Sequence, residues 1–126
     1  MLRGFVVALA VFLLADCSAG MAGTVTIPTF PSPSPGVQVL CPASLYTPFT
    51  LEGDPAASPP VWGVDRFGRR FDIIWPPGFR ARFTPKLEIL DPSGAVVARA
   101  GTVSDAGGAG DDNTRGICSI GGKVYF

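Results

Sequence analysis

An all-β domain is predicted, built as one small closed or partly closed barrel (OB-like) or as a small sandwich. Three features of the sequence point to it. From Gly36 onward short β-prone runs alternate with turn residues, and no segment sustains a 3.6-residue apolar period. The 16 glycines and 13 prolines among 126 residues interrupt the chain too often for long helices. About six to eight short strands in roughly 90 residues favour closure, which removes sticky sheet edges.

The elements follow in order. Val37 to Cys41 (VQVLC) alternates and predicts a first strand, and Leu45 to Leu51 (LYTPFTL) a second, weakened by Pro48 and so placed at an edge. Glu52 to Pro60 reads as a loop. Val61 to Val64 and Arg69 to Trp75 predict two strands joined by a tight turn at Asp65-Arg66-Phe67-Gly68, and Pro76-Pro77-Gly78 breaks the second. Phe79 to Phe83 alternates large apolar with charged positions. Lys86 to Leu90 and Ala95 to Ala100 form the clearest hairpin, turning at Asp91-Pro92-Ser93-Gly94, with Leu87, Ile89 and Val96 expected in one core and Glu88 and Arg99 in water. Gly101 to Arg115 is expected as a long polar loop. Gly116 to Ile120 and Lys123 to Phe126 predict a last hairpin around Gly121-Gly122.

The N-terminus has the layout of a secretory signal peptide, expected over residues 1–16: Arg3 supplies a positive charge, and Phe5 to Leu14 is an unbroken apolar run. That run covers only half of the about 20 residues a membrane-spanning helix needs. Leu14-Ala15-Asp16-Cys17 then resembles a bacterial lipobox, with Cys17 as the lipidated residue, although Asp16 stands where a small residue is usual. Residues 17–35, rich in Ser, Ala, Gly, Thr and Pro, are expected to be an extended tether, which leaves 36–126 as the β domain. With Cys17 used by lipid or cleaved away, Cys41 and Cys118 remain as an even pair in an exported chain, and a disulfide between them is expected.

Three stretches carry a family resemblance: Trp75-Pro76-Pro77-Gly78-Phe79-Arg80-Ala81-Arg82-Phe83, Leu87 through Arg99, and Ile117-Cys118-Ser119-Ile120-Gly121-Gly122 after a Gly-rich segment. Over roughly its C-terminal half the chain resembles a group of small exported lipoproteins of high-GC bacteria, actinobacteria in particular. The resemblance implies a small β-barrel on an extracytoplasmic anchor and brings no activity with it.

Composition narrows the function. Ten Lys and Arg balance ten Asp and Glu, which argues against a duplex nucleic-acid partner or a polybasic membrane-surface role, since both need surplus positive charge. The sequence holds no histidine, so the commonest general base and transition-metal ligand is missing. Glu52 and Asp54 lie two apart in a Gly/Pro loop, a spacing that suits a turn better than an acid–base pair, and Ser44 and Ser119 have no evident base. Gly107-Gly108-Ala109-Gly110-Asp111-Asp112 matches one copy of a calcium-binding repeat that needs stacked copies, so a flexible acidic loop is expected there. No enzyme activity, cofactor or metal is predicted. The candidate ligand-binding residues are Arg66, Arg69, Arg70, Arg80 and Arg82, which with Lys86 are opposed in their stretch only by Asp72 and are interleaved with Phe67, Phe71, Trp75, Phe79 and Phe83. An arginine-rich sheet face of this kind suits an anionic envelope glycan. The expected role is a non-catalytic envelope module, extracytoplasmic, held to the membrane by its lipid and facing a cell-wall polymer or an envelope protein.

Overall fold

The computed structural model describes residues 23–37, 40–42 and 44–126. The expected signal peptide, Cys17 and the first residues of the expected tether lie outside the described residues. Within them the fold is all-β. Eleven strands form a four-stranded sheet, in the order β1 (Thr24–Thr26), β5 (Arg80–Arg82), β6 (Glu88–Leu90), β7 (Val96–Arg99), and a seven-stranded sheet. The larger sheet runs β11 (Lys123–Val124), β10 (Thr114–Ile120), β4 (Arg70–Ile74), β3 (Val61–Val64), β2 (Phe49–Gly53), β8 (Gly101–Val103), with β9 (Ala106–Gly110) on β10. It curls into a half-barrel.

One apolar cluster lies between the two sheets. Phe49, Leu51, Val61, Phe71, Ile73, Ile117 and Ile120 enter it from the larger sheet, and Ala81, Leu87, Ile89 and Ala98 from the smaller one. The burial of β2, β3 and β4 alternates residue by residue, as expected for strands with one wet face. Phe49 and Phe71 meet edge to face at 5.2 Å, and Phe79 joins Trp75 at 6.3 Å to Tyr125 at 4.7 Å.

Five expectations are corrected. The strand expected over Leu45 to Leu51 at an edge is β2, Phe49–Gly53, hydrogen-bonded to β3 on one side and β8 on the other, because it begins after Pro48 and so loses no ladder bond to it. The tether does not run to residue 35: Thr24–Thr26 pairs antiparallel with β5, Ile27 is buried, and Phe30 N–H donates to the Trp75 carbonyl at 2.9 Å. Averaged composition hid a β-branched run, Thr24-Val25-Thr26-Ile27, that pairs as well as any strand. The exposed Pro31 to Pro35 is therefore a loop inside the folded unit. The strand expected over Val37 to Cys41 is missing at its described residues, with Val37 and Leu40 exposed. Gly101 to Arg115 is not a loop; it supplies β8, β9 and the start of β10. A Cβ on Gly107 would come within 2.7 Å of Ser119 Oγ and 2.8 Å of the Ser44 carbonyl, so this glycine serves close strand approach rather than flexibility. These added strands raise the count from the expected six to eight to eleven.

The fifth correction concerns the hairpin. β6 and β7 pair as expected and turn at Asp91 to Gly94, but Val97 is an extra residue between the pairs Ile89 with Ala98 and Leu90 with Val96. The bulge places Ala98 opposite Ile89 on the core face and leaves Val96 half-buried. Glu88 lies on the face away from the core as expected, but it is largely covered rather than in water, its carboxylate held between Arg82 at 2.8 Å and Arg99 at 3.3 Å.

The Cys41–Cys118 disulfide is present, with Cα atoms 5.7 Å apart and a sequence separation of 77. It fits an oxidising, extracytoplasmic setting. A crosslink of that span stabilises by about 4 kcal/mol on chain-entropy grounds. Denaturant unfolding of the Cys41→Ala/Cys118→Ala double variant is expected to show a loss of that order, and unchanged stability would count against the bridge as a structural tie. The bulge gives a second expectation. Ile89→Ala should cost about 2–5 kcal/mol through a core cavity, and Val96→Ala clearly less; the reverse ranking would place Val96 in the core after all.

Candidate functional site

The five candidate arginines do not share a face. Arg80 and Arg82 lie on β5 in the smaller sheet, whereas Arg66, Arg69 and Arg70 belong to the β3–β4 turn and the start of β4 in the larger one. Arg80 Nε donates to Thr24 Oγ1 at 2.7 Å, and Arg82 is paired with Glu88, with its Nε buried. Both are half-buried and occupied by neighbours. The single arginine-rich face is therefore corrected to a smaller cluster at one end of the half-barrel. Alternation within one run cannot tell which of two sheets that run enters.

That cluster is organised by Asp65. Its Oδ1 accepts N–H bonds from Phe67 at 2.8 Å and Arg69 at 2.9 Å, while its backbone N–H donates to the Arg69 carbonyl at 2.9 Å. Gly68 N–H closes the turn onto the Asp65 carbonyl at 3.0 Å, with Gly68 at φ 79°, where a side chain would be strained. The turn projects Phe67, which is 67% exposed, between the guanidinium of Arg66, 4.7 Å from its ring centroid, and that of Arg69 at 5.6 Å. Behind it Arg70 lies over Trp62 at 3.9 Å.

A fourth arginine, Arg115, joins from β10 and was not among the sequence candidates. Its guanidinium sits 4.0 Å from the Phe71 centroid and 5.4 Å from that of Tyr46. The Asp111 turn precedes it: Asp111 Oδ1 accepts from the N–H groups of Asn113 and Thr114, both at 2.8 Å. The acidic stretch thus caps a strand through backbone bonds, and no group of three metal-ligating side chains occurs among the described residues. A small pocket of about 130 Å³ separates the two turns, with Arg66, Phe67, Arg69 and Arg115 around it and Asp65 and Asp112 in its wall.

The charges there are unequal. Asp65 is committed to its turn and to Arg69 Nε at 3.5 Å. Among the described residues, the ion pairs are Arg69 with Asp65, Arg82 with Glu88 and Arg99 with Glu88, so Arg66, Arg70 and Arg115 are in no ion pair, although the Arg115 charge is felt by Asp65. Planar guanidinium forks without an internal anion suit phosphate or carboxylate groups from outside. The Tyr46 hydroxyl donates to the Gly116 carbonyl at 2.8 Å, and burial raises its pKa, an effect that the Arg115 charge opposes.

Other groups fit chemistry less well. An open groove of about 520 Å³ lies between Pro59-Pro60 and Ile27-Pro28 over Ile73, and its one charged lining residue is Asp72, which does not favour an anion. Glu52 accepts from the Trp62 indole at 3.3 Å, and Asp54 Oδ1 from Ala56 N–H at 2.9 Å, the turn expected from the sequence.

The Asp65 carboxyl is held below the ordinary aspartate range. The Arg69 N–H contributes most; burial works against it, and the Phe67 N–H and the charges of Arg69 and Arg115 add to it. A folded pKa below the unfolded one means that the order Asp65 contributes is fully present above the unfolded value and is lost as pH falls through the lowered one. In an acid titration followed by NMR, the Phe67 and Arg69 amide signals should move together, with a midpoint below that of an ordinary aspartate. A midpoint at or above it would contradict this anchoring.

Compared with known proteins, the chain matches no family model, no curated protein sequence and no solved structure.

Proposed function

We propose that this protein is a non-catalytic, exported interaction module of the cell envelope, tethered through lipid on Cys17 and contacting anionic groups through Arg66, Arg69, Arg70 and Arg115. The observation that carries this reading is the gathering of Arg66, Arg69 and Arg115 around one pocket, with Arg70 at the foot of the same turn on the outer sheet face; of these four, Arg69 is the one in an ion pair among the described residues. The Cys41–Cys118 disulfide fits export, as does the charged and then apolar N-terminal run that precedes Cys17. The absence of histidine from the sequence, and the use of Glu52, Asp54 and Asp111 in structural hydrogen bonds, favour binding over catalysis.

An anionic envelope glycan is the narrower reading. It keeps Arg66, Arg69 and Arg70, gains Arg115, and gives up Arg80 and Arg82. An envelope protein with an acidic surface would use the same guanidinium chemistry.

Retention of the protein on purified envelope material should fall steeply as salt rises, because exposed charge pairs are screened over about 10 Å at 0.1 M. The Arg66→Gln/Arg115→Gln double variant should elute at lower salt, and Cys17→Ala should abolish fatty-acid labelling and release the protein from membranes. Salt-independent retention, or elution unchanged in the double variant, would overturn the arginine contact; unchanged membrane retention of Cys17→Ala would overturn the lipid tether.

A further inference from the structure

The arginine end carries a feature that anion binding leaves unexplained. Phe67 stands at the apex of the β3–β4 turn with two-thirds of its surface in water, and among the described residues it is the one aromatic among the strongly exposed large hydrophobics, which are otherwise Val37, Leu40, Leu45 and Val124. Its backbone is fixed by the Asp65 carboxylate and by the turn bond to Gly68. The backbone that presents the ring is therefore fixed in advance, which leaves side-chain rotamer freedom as what is lost on contact. A soluble polyanion satisfies the guanidinium groups around that ring and leaves the ring wet.

We propose that the β3–β4 tip docks onto the surface of an anionic phospholipid bilayer, with Phe67 entering the boundary between headgroups and acyl chains and Arg66 and Arg69 engaging lipid phosphates. The proposal rests on the reading that this arginine end is the contact surface, and names its partner. The dimensions agree. Interfacial side chains bury about 5–10 Å into that boundary, and the two guanidiniums lie 4.7 and 5.6 Å from the Phe67 ring centroid, within reach of the phosphate layer when the ring is immersed. Arg115 lines the pocket behind the tip and adds attraction for an anionic surface, whereas Arg70 lies over Trp62 on the outer face of the sheet. The pocket lining sets Arg66, Arg69 and Arg115 against Asp65 and Asp112, a small local positive surplus in a chain of zero net charge. The zero total instead predicts short-range binding that needs both the ring and anionic lipid.

The test uses the full chain carrying Cys17→Ala, floated with vesicles of phosphatidylcholine alone or of phosphatidylcholine mixed with phosphatidylglycerol, and inorganic polyphosphate as a water-soluble polyanion. The phosphatidylcholine arm measures attachment through the N-terminal apolar run. Binding should be stronger on the phosphatidylglycerol vesicles, and Phe67→Ser should weaken it by about tenfold or more, the factor expected when a Phe side chain no longer leaves water. The same substitution should affect polyphosphate binding far less, and Phe67→Trp should keep vesicle binding. Circular dichroism checks that each variant is folded. If Phe67→Ser leaves vesicle binding unchanged while Arg66→Gln/Arg69→Gln weakens binding to vesicles and polyphosphate alike, the bilayer proposal fails and the arginine reading stands. If neither probe depends on the arginines, both fail.

Discussion

Thr114 lies beside Asp72, Arg115 beside Ile73 and Gly116 beside Ile74, a parallel contact between chain segments far apart in sequence. This pairing of β10 with β4 joins the antiparallel group β8-β2-β3-β4 to the C-terminal strands, and through it the larger sheet becomes one curled surface. Phe30 can pack against this strand because Gly116 has no side chain: a Cβ there would come within 2.5 Å of the Phe30 ring. Phe30 in turn packs on Phe126 at 5.4 Å. The N-terminal segment, the chain end and the middle of the sheet thus meet at one glycine. The Cys41–Cys118 bridge fastens the same strand two residues further on.

The same contact assembles the arginine end. Arg69 and Arg70 come with the β3–β4 turn, but Arg115 reaches the Phe71 ring only because its strand starts alongside β4. Two Asx turns with one chemistry build the two sides of the cluster: Asp65 and Asp111 each accept two nearby backbone N–H groups. Both carboxyls are held below the ordinary aspartate range chiefly by those N–H groups. Acidic residues that balance the arginines in the chain total are thus used to shape the loops that display them. Charge balance over a whole sequence says little about charge on one surface.

Asp91 shows a third use of this device in a buried setting. Burial alone would raise its pKa, but bonds from the Ser93 hydroxyl, the Ala95 and Ser93 N–H groups and the Tyr125 hydroxyl outweigh it, so the carboxyl stays low. Tyr125 is pushed the other way, first by burial and then by the Asp91 charge. This contact ties the last residues of the chain to the β6–β7 turn, while the Phe79 ring meets Tyr125 edge to face.

Where the signal lay in a turn or in the cysteine count, the sequence alone determined the outcome. The β3–β4 turn at Asp65 to Gly68, the Asp91 to Gly94 turn and the Gly121-Gly122 hairpin all follow from side chains that bond their own backbone or tolerate positive φ. The alternation in Val61 to Val64 and Arg70 to Ile74 set the buried face, and cysteine counting paired Cys41 with Cys118. Tertiary structure alone decided which strands share a sheet, and so separated Arg80 and Arg82 from Arg66, Arg69 and Arg70 and brought in Arg115. It also turned Gly107 to Gly110 and Thr24 to Thr26 into strands and shifted the core position from Val96 to Ala98. The reason is physical: a turn is stabilised within four or five residues of chain, whereas a strand's partner, and the space a glycine leaves for it, belong to segments that meet only when the chain has folded.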